Sequence, residues 1–343
     1  MNNLFVLHTQ YNLILAIGLC KTELKNDTND LILFEDFKIT ERYKEVFDKN
    51  FINVHVINGN YHKGKLTPTQ KYNKIKNDIS TITSQISEKY DSIFIVDDMC
   101  IQEMFCLKLV GTKNKYAKMF WLEDGSNAYF DNGVPSLGMG GTVLKRFIRK
   151  IIFSTRFRLG KYYDLGPCMG SNRNLSGGWF TFPEAVRPEL KQIDHYLITD
   201  KAFKFGMKEL FYGNKIDMLD DSILIALDLL AVYGEDFFNV IAYVEEIVFE
   251  AQKNGQTVYY KYHPRETGRM DTLNKCVELD RTVALESYLI NTTANKLTIV
   301  GFKSTALQTA RKIGYETISY IKKLEPDSTD ISNFYESIGI ICK

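Results

Sequence analysis

Three short stretches of this chain carry side chains whose types and placement suit chemistry. Lys261-Tyr262-His263-Pro264-Arg265-Glu266 follows the apolar run Val258-Tyr259-Tyr260, so His263 falls where a strand should leave a sheet. Pro264 fixes its own φ and pushes the preceding residue towards extended geometry, which mounts the imidazole rigidly. Trp121-Leu122-Glu123-Asp124-Gly125-Ser126 places two carboxylates on a tight turn, with Gly125 able to take positive φ. A rigidly mounted carboxylate suits a general base, which must meet a hydroxyl proton in a defined pose. Ile299-Val300-Gly301-Phe302-Lys303-Ser304-Thr305 leads from an apolar strand into hydroxyl residues at the start of a helical pattern. Free backbone N–H groups and the helix dipole favour a phosphate there.

Each stretch also has a plainer reading. A His-Pro pair in a loop is most often only a turn. An Asp-Gly pair can be a turn in which Asp124 caps a helix, and a Ser-Thr N-cap needs no ligand. A fourth element, Ala284-Leu285-Glu286-Ser287-Tyr288-Leu289, opens a short helix with Glu286, which suits a ribose hydroxyl or simply a favourable first-turn charge. Asp97-Asp98 looks like a metal-binding pair but has no supporting ligands nearby in sequence, and reads as a strand-end loop near an acceptor.

Positioning these groups requires strands that end at them. Leu4–Leu7, Leu31–Phe34, Val54–Ile57, Ile93–Val96 and Met119-Phe120 read as short buried strands, separated by helical patterns through Leu13 to Leu19 and near 40–50 and 70–89. A second series follows: Ile223–Leu227, a helix near 236–253, then Thr257–Tyr260, Leu297–Val300 and Thr317–Ile321. Strands alternating with helices indicate parallel α/β sheets. Glycines and prolines gather at 160–190, so two α/β domains are expected, 1–170 and 171–343, facing a central cleft.

Composition narrows the function classes. The chain has 343 residues, 45% hydrophobic and 25% charged, with a formal net charge of +1, which argues against a global electrostatic device for nucleic acid. Six cysteines and five histidines form no C-x-x-C or H-E-x-x-H pattern, so reduced thiols and no metal centre are expected. No signal-peptide pattern opens the sequence and no apolar run is long enough to span a bilayer, which points to the cytoplasm. Leu144, Phe147, Ile148, Ile151 and Ile152 have helical spacing opposite Lys145, Arg146, Arg149 and Lys150. Segment 144–161 therefore reads either as a core-packing helix with a solvated basic face or as a peripheral membrane contact.

The acidic-acidic-Gly turn, the strand-borne His-Pro and the Ser/Thr strand-to-helix turn about forty residues later together resemble bacterial sialyltransferases. The order is similar to glycosyltransferase family 52, which includes lipooligosaccharide and capsule α-2,3-sialyltransferases, and the same elements recur in bacterial polysialyltransferases. The opening strand with Thr9-Gln10-Tyr11 also resembles family 52. The resemblance implies a GT-B fold of two Rossmann-like domains, the second binding CMP-sialic acid, and inverting transfer without an essential metal or other cofactor. On it Glu123 or Asp124 is the base, His263 donates to the departing CMP phosphate from its Pro264 mount, and Ser304 and Thr305 hold the phosphate oxygens. Glu286 reads ribose or cytosine. An alternative base, Asp236 in Gly234-Glu235-Asp236, has a plain helix-cap reading beside it. Thr305 stands where related enzymes commonly carry a second serine, and a hydroxyl survives there.

The expected partners are CMP-sialic acid and a galactose-terminated oligosaccharide or glycolipid, with no nucleic acid; a homodimer is left open. The leading expectation is α-2,3 transfer to a terminal galactoside. Polysialyl transfer, or transfer of another CMP-activated nonulosonic acid, is the alternative. A non-catalytic peripheral membrane protein is the reading from a different class.

Overall fold

The computed structural model describes residues 1–59, 66–86, 88–130, 151–213, 215–327 and 329–343. It divides into two units, Met1–Gly206 and Met207–Lys343, each built on a parallel sheet.

In the first unit the strands are β1 (Asn2–Leu7), β2 (Thr28–Phe34), β3 (Val54–Ile57), β4 (Ser92–Ile95), β5 (Lys118–Leu122), β6 (Gly177–Phe180) and β7 (Asp194–Leu197), in the order β3-β2-β1-β4-β5-β6-β7. Every pairing is parallel. Strand interiors such as Phe5, Val6, Leu31, Ile32, Ile93 and Ile95 are wholly buried, as near-continuous apolar runs must be when both faces are covered. Helix α1 (Gln10–Lys21) is apolar all round and buried from Asn12 to Cys20. It lies against the helix Asp200–Phe211 at backbone distance: a Cβ on Gly206 would sit 1.9 Å from the Ile14 carbonyl oxygen, and one on Gly18 would sit 2.3 Å from that of Ala202. Helices α2 (Glu41–Asn50), α3 (Pro68–Gln85) and α4 (Ile101–Lys113) complete the crossovers. A Thr67–Gln70 capping box with Pro68 in the first turn starts α3.

In the second unit β8 (Ser222–Ala226), β9 (Val258–Lys261), β10 (Val277–Glu278), β11 (Leu297–Gly301), β12 (Glu316–Ser319) and β13 (Ile341–Cys342) are ordered β10-β9-β8-β11-β12-β13, again all parallel. Val240, Val244, Ile247, Val248 and Ala251, spaced as one face of the helix Phe237–Lys253, pack with Ile225, Val258 and Val300 into its core.

The expected strands are present, with two corrections. The Gly/Pro-rich stretch at 160–190 is not the divide between units. It contains β6, which extends the first sheet and carries β7 beyond it, and the division falls inside the helix Asp200–Phe211, so the boundary moves from 170 to 206. The glycines that suggested a linker are packing residues. A Cβ on Gly177 would lie 2.7 Å from the Tyr196 ring and one on Gly178 2.5 Å from the Phe180 ring. The strand expected at Thr317–Ile321 ends at Ser319 and passes into a short helix, Ile321–Leu324.

Residues 144–150 of the basic segment lie outside the described residues. Within the remainder, Ile151 and Ile152 are exposed, Phe157 is buried, and Arg156 stacks on Tyr72 and donates to its hydroxyl at 2.8 Å. Among the described residues no helix is long and apolar enough to cross a membrane.

Candidate active site

Both sheets reverse strand order beside their first strand, between β1 and β4 in one and between β8 and β11 in the other. Such switch points are where open α/β sheets bind ligands, at the carboxyl ends of the strands. The residues singled out from sequence fall at these ends.

In the first unit the acidic turn follows β5. Gly125 takes φ +56°, as the tight turn requires. Glu123 is fully buried and saturated with donors. Thr181 gives its N–H at 2.8 Å and its hydroxyl at 2.7 Å, and the Tyr11 and Tyr129 hydroxyls donate to one carboxylate oxygen each. Burial pushes its pKa up, against the pull of those donors. Asp124 is half-buried and, among the described residues, accepts one hydrogen bond, from Asn12 Nδ2 at 3.2 Å. Burial raises its pKa too, with His8 opposing and Glu103 reinforcing the rise. The two acidic neighbours thus have different surroundings: both Glu123 oxygens accept hydrogen bonds, while among the described residues Asp124 accepts at Oδ1 alone.

His8, which reads from sequence only as part of a polar turn after β1, is held from both sides. Its Nε2 lies 2.8 Å from buried Glu103 and its Nδ1 2.9 Å from Asp36, and its ring stacks on Phe34 at 4.5 Å. Burial disfavours the imidazolium, but the two carboxylates outweigh it and bring the pKa up to about 10. Glu103 also accepts the N–H groups of Val96 and Asp97 at 2.8 and 3.0 Å, fixing the end of β4. Asp97 there is raised to about 6 by burial and by Glu103. Asp98 instead ties down a loop by accepting from Gly170 N at 2.7 Å and Asn172 N at 2.8 Å.

In the second unit His263 follows β9 and is half-buried. The Arg265 N–H donates to its Nδ1 at 3.2 Å, which leaves the ring proton on Nε2. Burial and the nearby Arg265 and Lys261 charges lower its pKa, so the neutral ring is favoured. The turn itself is braced. Glu266 accepts from Leu230 N at 3.0 Å and Gly268 N at 2.7 Å, while Arg281 lies 4.4 Å over the Tyr262 ring and donates to Glu266 O at 2.8 Å. Lys261 is buried and donates to the Tyr262 and Arg281 carbonyls at 3.2 and 3.3 Å; burial lowers its pKa, against the opposing charges of Glu286 and Asp280. Glu286 lies in the first turn of the helix Leu285–Asn291.

After β11, Ser304 is the N-cap of the helix Thr305–Ile313, its hydroxyl accepting from Ala306 N at 3.3 Å, and Thr305 is exposed beside it. Asp228, at the end of β8, accepts from Lys303 N at 3.1 Å and from the Tyr233 hydroxyl, and so ties the two strand ends together. Asp236 occupies the N-cap position of the helix Phe237–Lys253 without a capping bond and is held by Asn239 Nδ2 at 3.2 Å. The charges that shift His263 are, after burial, those of Arg265, Lys261 and Glu266. Among the described residues no three His, Cys, Asp or Glu side chains are grouped as a metal would need.

The family model of the alpha-2,8-polysialyltransferases (POLYST) matches residues 3–320. The chain belongs to this sialyltransferase family. The match falls on the polysialyltransferase side of the resemblance drawn from the motifs. No curated protein sequence matches significantly. Among solved structures, a sialyltransferase from Photobacterium damsela is similar with a TM-score of 0.53 at 11% identity, over 100% of this chain and 81% of that one. A UDP-GlcNAc 2-epimerase from Methanocaldococcus jannaschii, in complex with UDP-GlcNAc and UDP, matches with a TM-score of 0.53 at 14% identity, over 100% of this chain and 88% of that one. At these identities the likeness is one of fold, and the fold is GT-B.

In this polysialyltransferase-family chain the sequence reading missed His8, Asn12, Glu103, Thr181 and Asp228. Their only sequence signal is a polar residue just after an apolar strand or in the first turn of a helix. That pattern is too common to single them out.

Proposed function

We propose that this protein transfers sialic acid from CMP-sialic acid to a glycan hydroxyl, inverting the anomeric centre and using no essential metal. The observation that carries this reading is the arrangement at the second sheet. The His263 Nε2–H, the Ser304-Thr305 helix start, the buried Lys261 and the first-turn Glu286 all occupy strand ends or helix starts at its carboxyl edge. A departing CMP is a phosphate monoester with developing negative charge, and N–H, O–H and imidazole donors stabilise such charge electrostatically. A bound phosphate also favours the imidazolium, which offsets the lowered pKa of His263.

In the first unit the same reading gives proton acceptance to Asp124, whose carboxylate has a free edge, and keeps Glu123 as the residue that organises Tyr11, Tyr129 and Thr181. The acceptor O–H proton passes to Asp124 while the acceptor oxygen bonds to the sialyl anomeric carbon. The bond from that carbon to the CMP phosphate oxygen breaks, its electron pair leaving with CMP. An oxocarbenium-like transition state is expected, as in glycoside chemistry generally. Ser304 and Thr305 hold phosphate oxygens and Glu286 reads the ribose or cytosine.

Family membership favours a sialic acid chain end as acceptor, with an α-2,8 linkage, over the terminal galactose and α-2,3 linkage that lead from the sequence motifs. Mass spectrometry of products from CMP-sialic acid with an oligosialic acceptor and with lactose separates the two. Elongation of the oligosialic acceptor alone supports the α-2,8 reading, and sialyl-lactose alone restores the galactoside. Failure to bind CMP, together with no donor hydrolysis, removes the whole proposal. Undiminished turnover after exhaustive chelation is expected. Cytoplasmic placement with peripheral contact through 144–161 is part of the proposal, supported by exposed Ile151 and Ile152, and co-sedimentation with anionic liposomes tests it. A scaffold would sediment without binding CMP.

A further inference from the structure

The first turn of α1 grips both acidic residues, one donor for each. Tyr11 donates to Glu123 Oε1 and Asn12, the next residue, donates to Asp124 Oδ1 at 3.2 Å. Asn12 is fully buried and cannot choose another orientation. Its Oδ1 accepts the Thr9 N–H at 2.9 Å and lies 3.4 Å from the His8 N–H, while its own N–H donates to Thr9 Oγ1 at 3.2 Å in a capping box. With the carbonyl end of the amide consumed by the strand-to-helix turn, the NH2 end must face the carboxylate. Asp124 Oδ2 accepts no hydrogen bond among the described residues.

We propose that Asn12 is a positioning residue for the transfer reaction: its amide, locked by the capping box, donates to Asp124 Oδ1 and thereby presents Oδ2 to the acceptor hydroxyl. The inference rests on the reading of Asp124 as base. An ordinary capping box needs only the acceptor end of the N3 side chain, and a glutamine or glutamate is the usual occupant. The donor end of Asn12 is therefore surplus to capping, and the carboxylate it meets is the one with a free edge.

The other charged groups facing Asp124 are His8 on the β1–α1 turn, Glu103 on α4 and Asp97 at the end of β4, with Glu123 adjacent in the chain. Exchanging the amide for a carboxylate keeps the cap acceptor and adds a like charge to this set. Exchanging it for a methyl group removes the donor without adding charge. Both make ionised Asp124 less favourable, the first more strongly.

The test is the pH dependence of kcat/KM for Asn12→Asp, Asn12→Ala, Thr9→Ala and Asp124→Asn, with CMP binding and thermal melting measured on each. Asn12→Asp should move the acid limb upward by about one pH unit, and Asn12→Ala should move it the same way by less. Thr9→Ala weakens the cap and lowers the melting temperature, yet should leave the limb in place, because the Thr9 N–H still holds the amide. Should Asn12→Asp not fold, Asn12→Ala carries the measurement. An unmoved limb in folded, CMP-binding Asn12 variants, with Asp124→Asn inactive, overturns the role of Asn12 and leaves the base reading standing. Full activity in Asp124→Asn overturns both.

Discussion

The carboxyl ends of the two sheets occupy equivalent topological positions and differ in how their acids and donors are matched. In the first unit the donors of the strand-end region are turned on the protein's own carboxylates. Glu123 takes four hydrogen bonds, Glu103 takes His8 and two backbone N–H groups, and Asp98 takes two more. In the second unit acids also take donors, Asp228 from Lys303 N and the Tyr233 hydroxyl and Glu266 from Leu230 N and Gly268 N, but His263 keeps its Nε2–H and Thr305 is exposed at the start of the helix capped by Ser304. A parallel sheet offers both ends the same N–H groups and helix dipoles. What differs is which donors the local acids leave over. The first end is the more acidic of the two, and the second is the one the proposed function gives to the phosphate.

The largest test of this contrast is His263→Ala. On the proposed mechanism it removes the donor to the leaving phosphate, and transfer should fall by about 10³- to 10⁴-fold while melting hardly changes, since the side chain is half-buried and its one hydrogen bond among the described residues is from Arg265 N. Full activity in a folded variant would end the leaving-group role. The matched pair in the first unit should separate chemistry from architecture. Asp124→Asn is expected to cost about 10²- to 10³-fold in kcat with stability nearly intact. Glu123→Gln leaves four donors facing an amide whose NH2 cannot accept, and should cost about 3 kcal/mol of stability, read by denaturant titration. A stable Glu123→Gln that is catalytically dead, beside an active Asp124→Asn, would transfer the base to Glu123 and reverse the assignment.

Much of the second unit was legible from sequence because its candidate site is made of local patterns. His-Pro after an apolar run, and Ser-Thr between a strand and a helix, each specify their geometry within six residues. The first unit was legible only in part. The acidic turn is local, but its partners come from Tyr11, Asn12, Tyr129 and Thr181, and His8 acquires its charge from Glu103, 95 positions away. No periodicity encodes such pairings. The misplaced boundary has a similar cause. Gly177 and Gly178 have the composition of a linker, and only the Tyr196 and Phe180 rings packed against them explain why a strand there needs glycine.

A smaller effect probes the buried charge set directly. His8 has a pKa raised from its ordinary value near 6.5 to about 10, so its ion pairs stabilise the fold fully below the ordinary value, and that contribution is lost as pH rises through the folded one. His8→Gln should therefore lower stability most near pH 6 and progressively less between pH 7 and 10. Urea titrations of both proteins at pH 6 and pH 9 measure the gap. A gap that stays constant or widens with pH would mean that His8 is held neutral, and the first end would then carry an unbalanced negative charge.

The smallest effect expected concerns the open end. Ser304→Ala removes an N-cap, which costs about 1 kcal/mol in stability, and also removes one hydroxyl from the proposed phosphate site. The two consequences can be separated. Ser304→Gly permits the N-cap backbone geometry and costs only a few tenths of a kcal/mol, yet it lacks the hydroxyl just as alanine does. If the hydroxyl touches phosphate, both variants should weaken CMP binding by the same several-fold factor while differing in melting temperature. If CMP affinity instead follows melting temperature, Ser304 is a cap alone. The anion site would then rest on the backbone N–H groups, Thr305 and His263. That outcome would bring the two sheet ends closer in character, since the hydroxyl after β11 would then serve its own helix, as Thr9 does after β1.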